Sequence, residues 1–319
     1  MTEYGPRRSR PETESPGPRL PGEAAARLAA STLAATTLAA TALVPIAFPA
    51  TALAASRDDP EPAATGGGLP PLVLIGGGKD DPDLMRRAIA RAGGRAARIA
   101  ILPLASRDPP RSGAAYLDFL RDLATGSRAV QIASAPAAAD PAVVAALASS
   151  NLLFFTGGDQ SRIVTRLRFT PALGAIGEAV RRGAVLAGTS AGAMPWGSMY
   201  IAGGTSVEAI ERPSALDLRP GLALAGALLV DTHFTSRGRL GRLLVAMAAR
   251  PGGLALGIDE GTAAMVDGGG ITIAGAGGVA VVDASGLTSA IRQPFSAGPF
   301  TMHRLTAGLS TPQIGRAHV

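Results

Sequence analysis

The 319-residue sequence contains no cysteine. Disulfide bonds, thiolate metal sites and a cysteine nucleophile are therefore excluded as explanations of its function. Aromatic residues make up only 4% of the chain, although 47% of all residues are hydrophobic. This composition predicts a globular core built mainly from Ala, Leu, Val and Ile, in one large domain or two modest ones.

Lysine is almost absent as well, since Lys79 is the only one in the chain. The formal net charge of +6 therefore depends almost entirely on arginine. These arginines are scattered along the sequence and form no basic run interleaved with aromatic residues, the pattern typical of nucleic-acid binding. We interpret the charge as a compositional bias and predict no nucleic-acid partner.

Residues 1–55 differ in composition from the rest of the chain. They begin polar and arginine-containing, become apolar and uncharged from residue 28, and end near an A-x-A sequence at 52–54. This order is typical of a secretory signal peptide, so we expect a cleaved signal and a secreted protein. A disordered leader and an uncleaved membrane anchor are the alternatives. We predict a linker at 56–69 and a single α/β domain at 70–319.

From residue 70 onward, apolar runs alternate with amphipathic stretches. The runs that predict strands are 72–75, 98–102, 129–132, 152–155 and 184–187. The stretches that predict helices are 82–92, 112–124, 142–149 and 162–182. Continuous apolar strands separated by helices predict a doubly wound, mostly parallel sheet that is covered on both faces. Short strands with glycine turns follow at 254–258, 263–266, 271–273 and 279–282, and they predict an antiparallel extension of this sheet.

The motif with the most chemical content is G-T-S-A-G at 188–192, directly after the apolar run 184–187. A G-x-S-x-G sequence between a strand and a helix is typical of a nucleophile elbow, which exposes the serine hydroxyl above a parallel sheet. Ser190 would be this nucleophile, and the N–H of Ala191 would face the developing oxyanion. The alternative interpretation is a strand–helix junction made of small residues.

A serine nucleophile requires a base, and the base requires a carboxylate that orients it. His233 follows the apolar run 228–230, which places it at the carboxyl end of a strand. His303 lies in a polar stretch, where a surface position is expected. Either Asp231 or Glu260 is a candidate for the carboxylate, because each lies at the end of a predicted strand.

Two glycine-rich turns also follow predicted strands. In F-T-G-G-D-Q at 155–160, Gly157 or Gly158 is a candidate for the second oxyanion donor, and a helix-capping turn is the alternative. The triple glycine at 76–78 lacks both the G-x-G-x-x-G and the G-K-[ST] patterns of phosphate-binding loops. We therefore interpret the triple glycine as a tight turn and predict no nucleotide cofactor.

Four segments together resemble one family of serine peptidases, the family that contains cyanophycinase and dipeptidase E. The segments match in order and spacing, and they are residues 155–160, 188–193, 231–243 and 257–260. The resemblance runs from about residue 72 to the C-terminus and leaves the leader out.

The resemblance implies a class I glutamine-amidotransferase-like fold and a Ser–His–Glu triad. Carried over, Ser190 is the nucleophile, His233 the general base and Glu260 its orienting carboxylate, with oxyanion donors at Gly158 and Ala191. The resemblance also implies a homodimer and neither a metal nor an organic cofactor. The residues that it places in the substrate site are Gln160, Asp231, Arg237 and Arg242.

The resemblance implies a serine exopeptidase that works through an acyl-enzyme. The implied substrate is cyanophycin, a poly-aspartate chain with arginine on its side-chain carboxylates, which is cleaved to β-Asp-Arg dipeptides. Three alternatives remain: an aspartyl dipeptidase, a catalytically inactive amidotransferase-like binding protein, and an envelope protein anchored by 28–55. Trp196 and Thr232 depart from the family pattern. We expect these two side chains to reshape the substrate pocket.

Overall fold

The structure is a computed structural model that describes residues 69–249, 253–268, 270–287, 294–308 and 310–312. The predicted leader and the predicted linker up to residue 68 lie outside the described residues. The signal peptide and the domain boundaries therefore stay predictions. All of the described residues belong to one unit of the chain, Leu43–Val319.

Strands and helices alternate up to residue 189, as the sequence predicts. The strands are β1 (Leu72–Ile75), β2 (Arg98–Leu102), β3 (Gly126–Ala129), β4 (Leu152–Phe155), β5 (Val185–Thr189), β6 (Met199–Gly203), β7 (Asp217–Pro220), β8 (Leu229–Asp231), β9 (Leu254–Ile258), β10 (Thr262–Asp267), β11 (Gly270–Gly275), β12 (Gly278–Asp283), β13 (Thr301–Thr306) and β14 (Ser310–Pro312). The helices are α1 (Pro82–Arg91), α2 (Pro109–Leu120), α3 (Pro141–Ala148), α4 (Gln160–Leu167), α5 (Pro171–Arg181), α6 (Ser206–Glu211) and α7 (Leu240–Ala248). Within these described helices, none combines the length and the apolar character needed to cross a membrane.

The central sheet has eight strands in the order β14-β11-β10-β1-β5-β4-β2-β3. The five strands from β1 to β3 in this order are parallel, and β10, β11 and β14 extend the sheet in antiparallel fashion. Alternate residues of β1 enter opposite cores, Leu72 and Leu74 on one face and Val73 and Ile75 on the other. The predicted doubly wound, mostly parallel α/β sheet is confirmed.

The structure differs from the prediction for two of the C-terminal strands. β9 and β12 leave the central sheet and form a second sheet in the order β13-β12-β9-β8. β8 and β9 are parallel neighbours in it, and Asp231 lies opposite Gly257. Both strands are buried, so this pairing satisfies backbone groups that water cannot reach. As a result, the chain segments that follow β8 and β9 emerge side by side.

The predicted helix at 162–182 is two helices in the structure. Phe169 adopts a left-handed backbone conformation with φ 62°, and Pro171 begins α5 with Thr170 as its N-cap. A left-handed residue followed by proline cannot continue a helix, so the chain breaks there. The strand predicted at 129–132 lies three residues earlier in the structure, as β3, and shares only residue 129 with the predicted range.

Candidate active site

Ser190 lies at the carboxyl end of β5, on a tightly packed turn. Its φ of 53° is a left-handed conformation that is uncommon for a residue with a side chain. A Cβ at Gly192 would lie 2.1 Å from the carbonyl oxygen of Phe155, so only glycine fits between the turn and β4. The turn continues as a short 3₁₀ segment, Ser190–Ala193, instead of the predicted α-helix. The serine is thus held at the sheet edge in a conformation of the kind found at functional sites.

His233 reaches this serine from the loop after β8. Its Nε2 lies 2.7 Å from Oγ of Ser190, which is hydrogen-bond distance. The backbone of His233 is also left-handed, with φ 49°, and its N–H donates to the carbonyl of Gly76 at 2.8 Å. The imidazole is therefore fixed by its own loop and by the turn after β1.

Glu260 completes the arrangement from the loop after β9. Its Oε1 lies 2.6 Å from Nδ1 of His233, so Glu260 rather than Asp231 is the carboxylate that contacts the imidazole. A proton on Nδ1 that is donated to Glu260 leaves the lone pair of Nε2 free to accept the Ser190 hydroxyl. The hydrogen bond from His233 lowers the pKa of Glu260, which keeps this carboxylate ionised.

The loop after β4 lies against the serine from a third side. A Cβ at Gly157 would lie 3.4 Å from Cβ of Ser190 and 3.9 Å from its Oγ. The next residue, Gly158, has a φ of 142°, and a Cβ there would lie 2.1 Å from the carbonyl oxygen of Ala105. Asp159 caps α4 with its side chain, so the predicted capping turn and a glycine loop beside the serine occur together. The oxyanion donors at Gly158 and Ala191 stay predictions.

The family model described as "Peptidase family S51" matches residues 72–274, more than half of the chain. The chain belongs to peptidase family S51. The matched segment contains Ser190, His233 and Glu260, and it begins after the predicted leader and linker.

Curated relatives of this S51 chain carry the name cyanophycinase. This chain is 39% identical over 199 residues to the cyanophycinase of Nostoc sp. (strain PCC 7120 / SAG 25.82 / UTEX 2576), and the match covers 61% of this chain and 66% of the relative. This chain is 41% identical over 202 residues to the cyanophycinase of Synechococcus elongatus, and the match covers 61% of this chain and 62% of the relative. The match thus spans less than two thirds of the length of these relatives.

A solved structure shares the fold. The crystal structure of a peptidase from an acI-B1 Actinobacterium aligns with a TM-score of 0.58 at 19% sequence identity, covering 78% of this chain and 98% of that one. This likeness agrees with the class I glutamine-amidotransferase-like fold expected from the sequence. At this identity it concerns the fold alone.

The four residues predicted for the S51 substrate site have different environments. Gln160 is half-buried, and its Nε2 donates to the carbonyl oxygens of Ile201 and Ala202 at 2.8 and 3.3 Å. Arg237 is exposed on the loop after His233. Asp231 and Arg242 are buried and form an ion pair with each other, so their charged groups are already engaged. Their contact with a substrate stays a prediction.

The expectation that Trp196 and Thr232 reshape the substrate pocket stays a prediction, and in this structure neither side chain is exposed for direct contact with a substrate. Their exposed fractions are 0% and 1%, so both side chains belong to the protein interior. The indole ring of Trp196 packs on Phe155 with 4.4 Å between ring centroids. Trp196 fills space beside the end of β4, and the departure from the family pattern affects the core.

The other histidines are less informative. His303 is exposed on β13, as its polar sequence context predicts, and His318 lies outside the described residues. Among the residues that the structure describes, no group of three or more His, Asp or Glu side chains is arranged to hold a metal ion. The chemistry that the described site can perform is proton transfer from a serine hydroxyl to an imidazole held by a carboxylate.

Sequence reasoning missed the role of the triple glycine. β1 pairs with β5 so that Ile75 lies opposite Thr189, and the next residues of the two strands turn beside each other. A Cβ at Gly77 would lie 2.5 Å from Nε2 of His233 and 3.1 Å from Cβ of Ser190. The imidazole therefore occupies space that a side chain at position 77 would fill. The clue in the sequence was a glycine turn at the same sheet edge as the serine.

We predict that Gly77→Ala slows the labelling of Ser190 by a fluorophosphonate probe about a hundredfold, because the imidazole is displaced from the hydroxyl. The matched control is Gly93→Ala. Gly93 has a φ of 103°, similar to the 90° of Gly77, but a Cβ at position 93 meets nothing within 4 Å. Equal labelling rates in the two variants, measured by intact mass, would contradict the steric explanation.

A buried ionic cluster supports the His233 loop from below. Nε and Nη2 of Arg242 each donate to the carboxylate of Asp231 at 2.6 Å, and Nη1 of Arg239 donates to it at 2.9 Å. Arg239 also donates to the carbonyl of Thr232 at 2.7 Å. Asp231 is fully buried, so its charge depends on these donors. The cluster fixes the backbone directly before His233.

We predict that Asp231→Ala lowers the free energy of unfolding by about 3–5 kcal/mol, because it leaves the buried Arg242 guanidinium unpaired. The control is Asp217→Ala, which breaks the exposed ion pair with Arg219 and should cost about 0–1 kcal/mol. Urea denaturation measures both values. A similar, small loss in the two variants would show that the buried cluster contributes little.

Proposed function

We propose that this protein is a serine peptidase that hydrolyses cyanophycin. The observation that carries the proposal is the continuous hydrogen-bond path from Oγ of Ser190 through His233 to Glu260, at 2.7 and 2.6 Å. The path supports an activated serine as nucleophile. The choice of substrate is supported by the curated relatives, which are cyanophycinases.

In the proposed first half-reaction, Oγ of Ser190 attacks the carbonyl carbon of an aspartyl peptide bond while Nε2 of His233 takes the hydroxyl proton. Glu260 stabilises the imidazolium that results. The N–H groups of Gly158 and Ala191 are proposed to bind the oxyanion, and one such donor is worth about 2.7–4 kcal/mol in other enzymes. His233 then gives its proton to the leaving amine nitrogen, the C–N bond breaks, and Ser190 carries an acyl ester.

Water completes the reaction in the second half. The water oxygen attacks the ester carbonyl while His233 accepts a proton from the water molecule. His233 then returns that proton to Oγ of Ser190 when the ester bond breaks. The product leaves with a new carboxylate, and the enzyme regains its starting state. For cyanophycin this cleavage of the aspartate backbone releases β-Asp-Arg dipeptides.

Of the predicted substrate residues, Arg237 is the one whose exposure suits direct contact. A guanidinium can bind a substrate carboxylate through two parallel hydrogen bonds, which the ammonium of lysine does not reproduce. Gln160 is proposed to contact the substrate by replacing one of its two hydrogen bonds to backbone carbonyl oxygens with a hydrogen bond to the substrate. For Asp231 and Arg242 we propose that the ion pair shapes the site from beneath.

The predicted location and assembly also remain part of the proposal. The composition of residues 1–55 supports export of the enzyme, which would then act on polymer outside the cytoplasm. The resemblance to the cyanophycinase family supports a homodimer. Neither feature is needed for the triad, because all three of its side chains come from one chain.

We predict that Ser190→Ala and His233→Ala abolish the release of soluble dipeptide from insoluble cyanophycin, a loss of about 10⁴-fold or more. His303→Ala is the matched control and should retain full activity, because His303 is exposed on β13. Mass spectrometry of the soluble fraction measures the products.

Full activity of Ser190→Ala would overturn the proposed mechanism. Intact polymer together with cleavage of short aspartyl dipeptides by the wild type would keep the mechanism and overturn the substrate. This second result would identify an aspartyl dipeptidase.

A further inference from the structure

The carboxylate of Glu260 is the most exposed part of the proposed triad. Its side chain is 44% exposed, whereas that of His233 is 12% exposed. An exposed carboxylate is free to rotate in water unless other groups hold it, and each rotation would break its bond to the imidazole. The described structure therefore has to supply a second contact that fixes this side chain.

Ser236 supplies that contact. Its Oγ lies 2.9 Å from Oε1 of Glu260, the same oxygen that accepts the hydrogen bond from Nδ1 of His233. The hydroxyl also lies 3.2 Å from the carbonyl oxygen of His233. A serine hydroxyl has a single proton to donate, and an ionised carboxylate is a stronger acceptor than a neutral carbonyl. The proton is therefore directed to Glu260 while this side chain is ionised.

The backbones of the two loops are held together independently of Ser236. Asp259 accepts hydrogen bonds from N and Oγ1 of Thr235 at 3.1 and 2.6 Å, from N of Gly278 at 3.1 Å, and from Arg304. Burial raises the pKa of Asp259, but these hydrogen bonds outweigh it and leave the pKa below its usual range. The carboxylate of Asp259 thus joins the two loops, because it binds Thr235, which precedes Ser236, and Asp259 itself precedes Glu260.

We propose that Ser236 is a positioning residue of the triad, whose hydroxyl holds Oε1 of Glu260 at the point where His233 donates to it. The inference rests on the proposed function, because it assumes that Glu260 orients a catalytic imidazole. It adds a residue that neither the sequence motifs nor the comparisons assign. Ser236 touches neither the serine nucleophile nor the reacting atoms in this arrangement.

The groups that face Glu260 determine how removal of the Ser236 hydroxyl changes the pKa of this carboxylate. The hydrogen bond from His233 lowers the pKa of Glu260 most, the bond from Ser236 adds to this, and partial burial opposes both. The charges of His233 and Arg237 lower it further. Removal of the Ser236 donor removes one interaction that favours the ionised form, so the pKa of Glu260 rises. The part of the Ser190 reactivity that is lost when Glu260 is protonated should then be lost at a higher pH.

The test measures the rate of fluorophosphonate labelling at Ser190 in the full-length protein, by intact mass, as a function of pH. We expect Ser236→Ala to label about three- to tenfold more slowly than wild type, the effect of one partly exposed hydrogen bond to a charged group. In Ser236→Ala the loss of rate that follows protonation of Glu260 should begin at a higher pH, and Ser236→Thr, which keeps the hydroxyl, should restore both the rate and this pH dependence. The control Ser285→Ala removes an exposed serine distant in sequence and should match wild type.

The outcomes separate this inference from the proposed function. If wild type and Ser236→Ala label at the same rate with the same pH profile, the positioning role is wrong and the serine hydrolase proposal stands. If Ser236→Ala is slowed as expected but wild type leaves cyanophycin intact, the positioning role stands and the substrate proposal falls. An unreactive wild type would overturn both. Thermal melting of each variant confirms that it is folded.

Discussion

The hydrogen bond between Oγ of Ser190 and Nε2 of His233 is the interaction on which the rest of the site depends. It joins the ends of strands from two different sheets, since Ser190 follows β5 of the central sheet and His233 follows β8 of the second sheet. Its 2.7 Å length therefore requires the two sheets to hold a fixed relative position. Both residues also adopt left-handed backbone conformations, which surrounding packing must maintain.

Packing and buried charge supply that support from different sides. Glycines at 77, 157 and 192 leave space where loops approach the nucleophile, so backbone from β1, β4 and β5 closes around one hydroxyl. Beneath the imidazole, the ion pair of Asp231 and Arg242 is shielded from water and fixes the end of β8. Desolvation offsets much of the attraction within a buried pair of this kind, whereas removal of one partner leaves an uncompensated buried charge.

The sequence predicted Ser190, His233 and Glu260 as a proposed triad because each follows an apolar strand. The expectation that these strand ends share one sheet is wrong for His233 and Glu260, because β8 and β9 belong to the second sheet. The sequence left the choice between Asp231 and Glu260 open until the family resemblance was used. It did not predict the second sheet, because hydrophobic periodicity identifies strands and not their neighbours. The contacts of Gly77 and Ser236 depend on that pairing and on side-chain rotamers, so no local pattern contains them.

The most direct test of the central claim is a crystal structure of the protein after reaction with a fluorophosphonate. The account predicts a single adduct, with phosphorus bonded to Oγ of Ser190 and its anionic oxygen facing the N–H groups of Gly158 and Ala191. Nε2 of His233 should remain within hydrogen-bond distance of the modified oxygen. An unmodified Ser190 with its hydroxyl turned away from His233, or an adduct on another side chain, would contradict the account.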